Sequence, residues 1–257
     1  MSRTAPFLRA AAGGAVPLLL LGAWYAGSAT GGIGAQTLPP PAEVAATLLA
    51  IMRSGELFQA LAVSLWRVAV GFTLGAAAGL ALGAAMGLSP RVEAYLFPTF
   101  KLLTYIPLIA WVPLAMLVVG IGEWLKFLLI AKAALVPMAL NSFRGIRAVP
   151  AGYRDLAAVF GLSRRQYLTH LLLPAAVPAV WTGLRYALTY SWLVLVVVEL
   201  IASTEGLGFL MINAQQLYQL DALVASVLVI GSVGFILDRG LAAAEKRLLR
   251  WRPENFK

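Results

Sequence analysis

Residues 155–174 read DLAAVFGLSRRQYLTHLLLP. The chain around them is overwhelmingly apolar, yet here the greasy segments stop. A polar, basic stretch runs from about Asn141 to His170, with Gly161 near its middle and Pro174 at its end. Its residues predict two short helices. Asp155 lies in the first turn of one, with Leu156, Val159 and Phe160 as its apolar side chains. Gly161 terminates it, because glycine accepts the left-handed conformation at a helix end. Ser163 caps a second helix, RRQYLTHLLL, with Leu168, Leu171 and Leu172 on one side. Pro174 restricts the residue before it and marks the turn into the next apolar segment. A floppy linker has no use for Leu156, Val159 and Phe160. Such a surface either docks another protein or packs on the chain's own helices.

The rest of the chain says what kind of protein carries this break. Of 257 residues, 61% are hydrophobic and only 12% charged, and the mean hydropathy is +0.84. Soluble domains are usually near half apolar and about a quarter charged. Too few charges are present to cover a large soluble core, so the chain reads as a membrane protein. The formal net charge of +9 does not imply nucleic acid. The basic residues lie between apolar blocks and at both chain ends, which is the pattern of membrane topology. There is no Cys and a single His, His170. That excludes disulfides, thiol redox chemistry and a multi-His metal site, and leaves an intramembrane enzyme little to work with.

Six stretches are long enough to span a bilayer, at about 10–27, 61–87, 99–119, 124–140, 177–201 and 222–240. The first follows Arg3 and Arg9, and its local sequence suits either a cleaved signal or a retained span; the rest of the chain favours a retained span. Residues 38–58 are different. Pro41 suits a first helical turn, Glu43 favours the positive end of a helix dipole, and Val44, Leu48, Ile51 and Met52 form a stripe. They predict a short helix lying on the membrane surface. The second span carries Gly71, Gly75, Gly79, Gly83 and Gly87, one every fourth residue. Small residues on one face let helix backbones approach closely in lipid, so this face is expected to pack on another span. The fold class is therefore an all-α polytopic membrane protein forming one domain over residues 1–257.

Lys and Arg set the orientation. With a cytoplasmic N-terminus, Arg3, Arg9, Arg91, Arg144, Arg147, Arg154, Arg164 and Arg165 all face the cytoplasm, as do Lys246, Arg247, Arg250, Arg252 and Lys257 in the tail. The opposite side holds Arg53 among Glu43, Glu56, Glu123, Glu205 and Asp221. Both termini and the 141–174 loop are thus expected in the cytoplasm. Ionisable residues inside spans are functional candidates. Glu199 and Arg185 share the fifth span, but 14 residues of helix separate them by roughly 21 Å, so they cannot pair. Glu199 either lines a translocation cavity, anchors an outer gate beside STEGLGF (203–209), or makes a structural hydrogen bond. Arg185, Trp192 and Glu199 are the pathway candidates. Arg67, Lys101, Lys126 and Lys132 are expected to snorkel to the interfaces, with Arg67 or Lys101 alternatively facing a cavity.

The opening stretch resembles the EAA motif of permease subunits of binding-protein-dependent ABC importers. That motif is E-A-A, three residues, G, nine residues, then I-x-L-P. Asp155, Leu156 and Ala157 stand for E-A-A, Gly161 falls in place, and Leu171, Leu172, Leu173 and Pro174 close the pattern. The departures are Asp155 for Glu, Leu156 for Ala and Leu171 for Ile. The segments PLIAWVPLAMLVVGIGEWLKF (107–127), LPAAVPAVWTGLRYAL (173–188) and VVVELIASTEGLGFLM (196–211) are similar to the subgroup that includes permeases for aliphatic sulfonates, taurine, nitrate and bicarbonate. The likeness covers about residues 38–250.

The resemblance implies a type I importer permease fold with six spans and a coupling helix in the cytoplasmic loop. It implies a bacterial inner-membrane location. The expected partners are a second permease copy, two ATPase subunits, an extracytoplasmic solute-binding protein and the lipid membrane. The expected contact set on the ATPase is Asp155, Leu156, Ala157, Val159, Phe160, Gly161, Leu162, Ser163, Arg164, Arg165, Leu171, Leu173 and Pro174. This chain has no G-x-x-x-x-G-K-[ST] loop. ATP and Mg are therefore expected on the partner ATPase, and this subunit is expected to be no enzyme and to bind no cofactor or metal. The best guess at cargo is an aliphatic sulfonate, taurine or a related small anion. A self-contained secondary transporter is the alternative. It predicts inverted repeats and interrupted helices, shows no convincing repeat, and leaves the motif unexplained.

Overall fold

The apolar blocks fold as helices, and most breaks between them fall at glycine or proline, while the break between Gln216 and Leu220 turns on Tyr218 at φ 57°. The computed structural model describes residues 5–32, 34 and 37–249, with the backbone alone for residues 5–14, 151, 154 and 158. Arg3, Arg250, Arg252 and Lys257 of the charge asymmetry lie outside the described residues, as do the side chains of Arg9 and Arg154. The helices are α1 (Ala5–Ala29), α2 (Pro41–Arg53), α3 (Glu56–Leu88), α4 (Pro90–Tyr105), α5 (Trp111–Val119), α6 (Glu123–Arg147), α7 (Ala151–Val159), α8 (Arg164–Ala202), α9 (Leu207–Gln216) and α10 (Leu220–Leu248). Among the described residues there is no strand.

The chain forms two compact units, one of Met1–Gln59 with Leu210–Val229 and one of Ala60–Phe209 with Ile230–Lys257. In the first, α2 starts with Pro41 in its first turn and Glu43 just inside, as the sequence predicts. Val44 is its buried contact, and Met52 stays partly exposed. The helix is shorter than expected. Gly55 at φ +82° breaks it, and Glu56 to Phe58 open α3 instead. The Trp24 indole donates to the Pro39 carbonyl at 3.0 Å, and Thr47 donates to the Asp221 carboxylate.

The second unit is built on a seam. A Cβ at Gly79 would come within 2.6 Å of the Leu135 carbonyl oxygen, and one at Gly71 within 2.6 Å of Ile130. At Gly75 and Gly83 it would collide with the carbonyls of Ala131 and Ala139, and at Gly87 with Ile146. The five glycines therefore face α6, and the partner numbers rise together, so the two helices run in the same direction. On its other side α6 meets α8 through small residues again, with Gly145 against Ala179 and Gly183 against Asn141 and the Pro137 carbonyl. Met138, Ala134 and Ala187 fill the space between them.

Three expectations change. The span at 99–119 is not one rod. α4 and the segment Leu108–Val119 meet at 88°. Ile106 precedes Pro107, which disfavours helical backbone, and it is extended at ψ 115°. Among the described residues four helices, α3, α6, α8 and α10, are long and apolar enough to cross a membrane, up to five with this bent pair, and Ala15–Ala29 is a shorter apolar helix. Second, the fourth span does not end near residue 140, since α6 continues to Arg147. Third, the helix begun at Ser163 does not stop at Pro174. It runs on to Ala202 as a 39-residue helix. Residues Tyr167–Leu172 wind as wider π turns, and the Leu173 N–H donates to the Leu168 carbonyl five residues back. The wider turns precede the proline, whose ring crowds an α-helical carbonyl four residues earlier.

The seam makes a direct prediction. Gly75→Val forces α3 off α6 and lowers stability by roughly 1–3 kcal/mol or more. Gly240→Ala, with nothing within 4 Å of its Cβ, leaves stability unchanged or slightly higher. Thermal unfolding of the detergent-solubilised variants checks both. Equal behaviour of the two would remove the seam as a determinant of stability.

Candidate functional site

At one end of α8 the motif segment forms a solvent-facing wall. α7 begins at Ala151, one residue past Pro150, so Asp155 is not in its first turn as expected; it ends at Val159, and Gly161 just beyond takes φ +64°, as expected of the terminating glycine. The Phe160 N–H donates to the Leu156 carbonyl and the Leu162 N–H to that of Ala157, both at 2.9 Å, closing the helix end. Ser163 then caps α8. Its side chain accepts from the Gln166 N–H, and the Gln166 side chain accepts from the Ser163 N–H at 2.8 Å, a reciprocal capping box.

Burial divides the motif residues. Ala157 is buried. Leu172 is buried with Ile146 and Ala176, against Tyr167 and Leu168. Leu156, Val159 and Phe160 instead stand 50%, 82% and 75% exposed. The apolar knobs are therefore not covered by the chain's own helices. Leu162 and Leu173 are exposed too, as are Asp155, Ser163, Arg164 and Arg165, while Leu171 and Pro174 are half-buried.

At the other end of α8 lies a buried charge cluster that sequence reasoning resolved only in part. Glu199 is fully buried and Arg67 is 2% exposed. Their side chains meet at 2.8 Å. The same guanidinium grips Glu123 with Nε and a terminal nitrogen, at 2.8 and 2.6 Å. Its remaining arm donates to the Ser203 hydroxyl and the Glu205 carbonyl, at 3.2 and 2.8 Å. Lys126 donates to Glu123 at 2.6 Å. Ser64 donates to Glu199 at 2.9 Å and accepts from the Leu207 N–H. The Gly208 N–H donates to Glu199 at 2.9 Å. Two cations thus meet two carboxylates, and Arg67 does not snorkel. Gly206 (φ +108°) and Gly208 pass directly over the carboxylate, where any Cβ would strike it.

The pathway candidates have individual placements. Glu199 lines neither the cavity beside Trp192 nor the one beside Lys132; it belongs to the charge cluster, where Arg67, Ser64 and the Gly208 N–H hold it in a structural role. Arg185 donates to Asp238 at 2.8 Å and Glu245 at 3.1 Å, tying α8 to α10. Trp192 walls a largely apolar cavity of about 620 Å³ between α8 and α10, and its indole donates to the Ile230 carbonyl at 3.2 Å. A second cavity, of about 400 Å³, lies between α6, α8 and the α4–α5 bend and includes Lys132. Sequence reasoning marked Arg67 and Glu199 singly and missed Glu123. The available signal was a cation in α3 facing two acids at the ends of other spans.

Removing one member of a buried pair leaves the other unpaired, which costs about 3–5 kcal/mol. Arg67→Met is expected to lose that much stability. Adding Glu199→Gln to it is expected to cost far less than Glu199→Gln costs alone. Thermal unfolding of the four proteins checks this, and additive losses would show the pair to be uncoupled.

Comparison with known proteins agrees with this architecture. The family of binding-protein-dependent transport system inner membrane components matches residues 71–250. The aliphatic sulfonates transport permease SsuC of Bacillus subtilis (strain 168) is 37% identical over 92% of this chain and 86% of its own. The taurine transport system permease TauC of Escherichia coli (strain K12) is 37% identical over 92% of this chain and 88% of its own. The bicarbonate transport system permease CmpB of Synechococcus elongatus is 35% identical over 76% of this chain and 70% of its own. A chain of the MetNI methionine ABC transporter, solved in an inward-facing conformation, shares the fold with a TM-score of 0.55, at 19% identity over 79% of this chain and 95% of that one. With its apolar helices, glycine seam and motif segment, the chain belongs to the binding-protein-dependent transport system inner membrane component family, the multi-pass permeases of ABC importers.

Proposed function

We propose that this permease carries a small anion of the aliphatic sulfonate or taurine type across the membrane, driven by a separate ATPase that docks on the α7–α8 turn. The exposed face of Leu156, Val159 and Phe160 carries the reading. Apolar side chains held out by a rigid, capped turn suit insertion into a groove of another protein. Arg164 and Arg165, exposed at the start of α8, supply charges that acids on that partner would meet. The names of the relatives support the substrate class, since sulfonate, taurine and bicarbonate all carry an anionic group.

In this reading the ATP and Mg belong to two partner ATPase subunits, and this chain hydrolyses nothing. A second permease copy completes the channel, because each ATPase needs its own turn to grip. An extracytoplasmic binding protein delivers the solute. Six spans with both termini cytoplasmic put the α7–α8 turn on the ATPase side, and α2 on the opposite membrane surface. Trp192, on a cavity wall, remains a pathway candidate; Arg185 contributes through its ties to α10.

The absence of cysteine in the native chain makes the test direct. Val159→Cys is expected to cross-link to a cysteine in the ATPase groove, with a yield that changes on ATP binding. Gly161→Val has open space around it but demands a backbone that a β-branched residue resists. It is expected to cut ATP-driven ethanesulfonate uptake at least tenfold while membrane insertion stays normal. No cross-link from a functional Val159→Cys protein, or full uptake by Gly161→Val, would sink the docking assignment.

A further inference from the structure

The geometry points to a binding station for the anionic head of the transported solute in the 400 Å³ cavity, centred on Lys132. The inference rests on the importer reading above and names the site that reading lacks. The cavity draws Lys132, Asn141 and Arg144 from α6, Tyr186 and Tyr190 from α8, and Thr104 from the end of α4. Among the described residues no carboxylate lines it. Its size falls in the range that holds small organic ligands.

Several described cations of this unit lack a carboxylate partner, Arg91, Lys101 and Arg239 among them, and of these unpaired cations Lys132 and Arg144 line the cavity. Arg67, Lys126, Arg147 and Arg185 in the same unit each have a carboxylate partner. Among the described residues Lys132 and Arg144 form no ion pair. An unneutralised ammonium within a spanning helix is costly and marks a pathway or ligand site. Lys132 is positioned by a ring instead of an acid, its Nζ lying 4.6 Å from the centre of Trp111. A π face steadies the ammonium without neutralising it with a counter-ion, so it is left to pair with an incoming anion.

The polar groups around it match an anion with a short apolar body. Tyr186 and Tyr190 stand one turn apart on α8, and among the described residues neither hydroxyl has a hydrogen bond. Both can donate to sulfonate oxygens. Val136, Leu108 and Val194 offer the methylene part an apolar wall. Arg144 lies 12 residues beyond Lys132, roughly 18 Å along α6. Two separated cations give an anion a first and a second stop, each weak enough to leave, which passage requires.

The test begins with the full-length chain alone in phosphatidylcholine nanodiscs. Trp111 reports on Lys132, so ethanesulfonate is expected to change the tryptophan fluorescence saturably, beyond the effect of chloride at equal ionic strength. An uncharged sulfonamide of similar size is expected to do nothing. The apparent affinity is expected to fall at least tenfold in Lys132→Gln and to be largely retained in Lys132→Arg, which keeps the charge and guards against misfolding. A response unchanged in Lys132→Gln, or one persisting in Trp111→Phe, overturns the proposal. So does a response abolished by phosphatidylglycerol in the disc, which makes the cavity a lipid headgroup site. ATP-driven uptake is then measured in proteoliposomes with the cognate ATPase and binding protein. Uptake by wild type with a tenfold loss in Lys132→Gln, and ATP hydrolysis unaltered, is the expected pattern. Wild type that binds ethanesulfonate yet shows no ATP-driven uptake of it overturns the importer reading and leaves the binding result standing.

Discussion

Helices immersed in lipid gain little from burying apolar surface against one another, because the acyl chains are as apolar as leucine. What holds them is close contact, and close contact needs missing side chains. The row Gly71, Gly75, Gly79, Gly83 and Gly87 supplies it, lying against Ile130, Ala131, Leu135, Ala139 and Ile146. One turn before Gly71, the same row carries Arg67. One turn before Phe127, whose carbonyl lies beside Gly71, α6 carries Glu123. The register that seats the glycines therefore also brings the guanidinium to the carboxylate. Parallel packing of α3 and α6 demands that the chain return between them, and the bent α4–α5 segment makes that return.

The charge cluster completes what the seam begins. Its members come from α3, α6, α8 and the 203–208 turn, so one guanidinium fastens four parts of the unit. Buried ion pairs contribute little net stability against apolar substitutes. Their strength is selectivity: an arrangement that slides α3 by one turn leaves Arg67 and Glu199 each without a partner in a medium that tolerates neither. The glycines at 206 and 208 follow from the same demand, because the turn must bring the Gly208 N–H onto the carboxylate and the Leu207 N–H onto Ser64.

Local signals in the sequence were read well, and distant ones were not. Apolar length gave the membrane class, the four-residue glycine period gave a packing face, and Gly161 and Ser163 gave the turn and its cap. Each depends on residues within a few positions. Taken alone, Arg67 suggests snorkelling or a place facing a cavity, because a hydropathy reading treats each charge singly. Its partners lie 56 and 132 residues away, and nothing local marks them. Pro174 looked like a boundary because the rule for proline assumes α geometry; the π turns before it change that geometry. The bend at Ile106 was legible in Pro107, yet the apolar run through it suggested a single span.

The continuous helix from Arg164 to Ala202 has a mechanical consequence. At 1.5 Å per residue its 39 residues measure about 58 Å, nearly twice the roughly 30 Å thickness of bilayer hydrocarbon. A rod of that length reaches from the capped turn at Ser163 to the carboxylate of Glu199, interrupted in its hydrogen bonding by the π turns and by Pro178. Tilt imposed on one end reappears at the other, inverted about the point where Gly183 rests on α6. The chain thus contains a long arm seated on α6 at a glycine, with its departures from regular α-helix at the π turns and at Pro178.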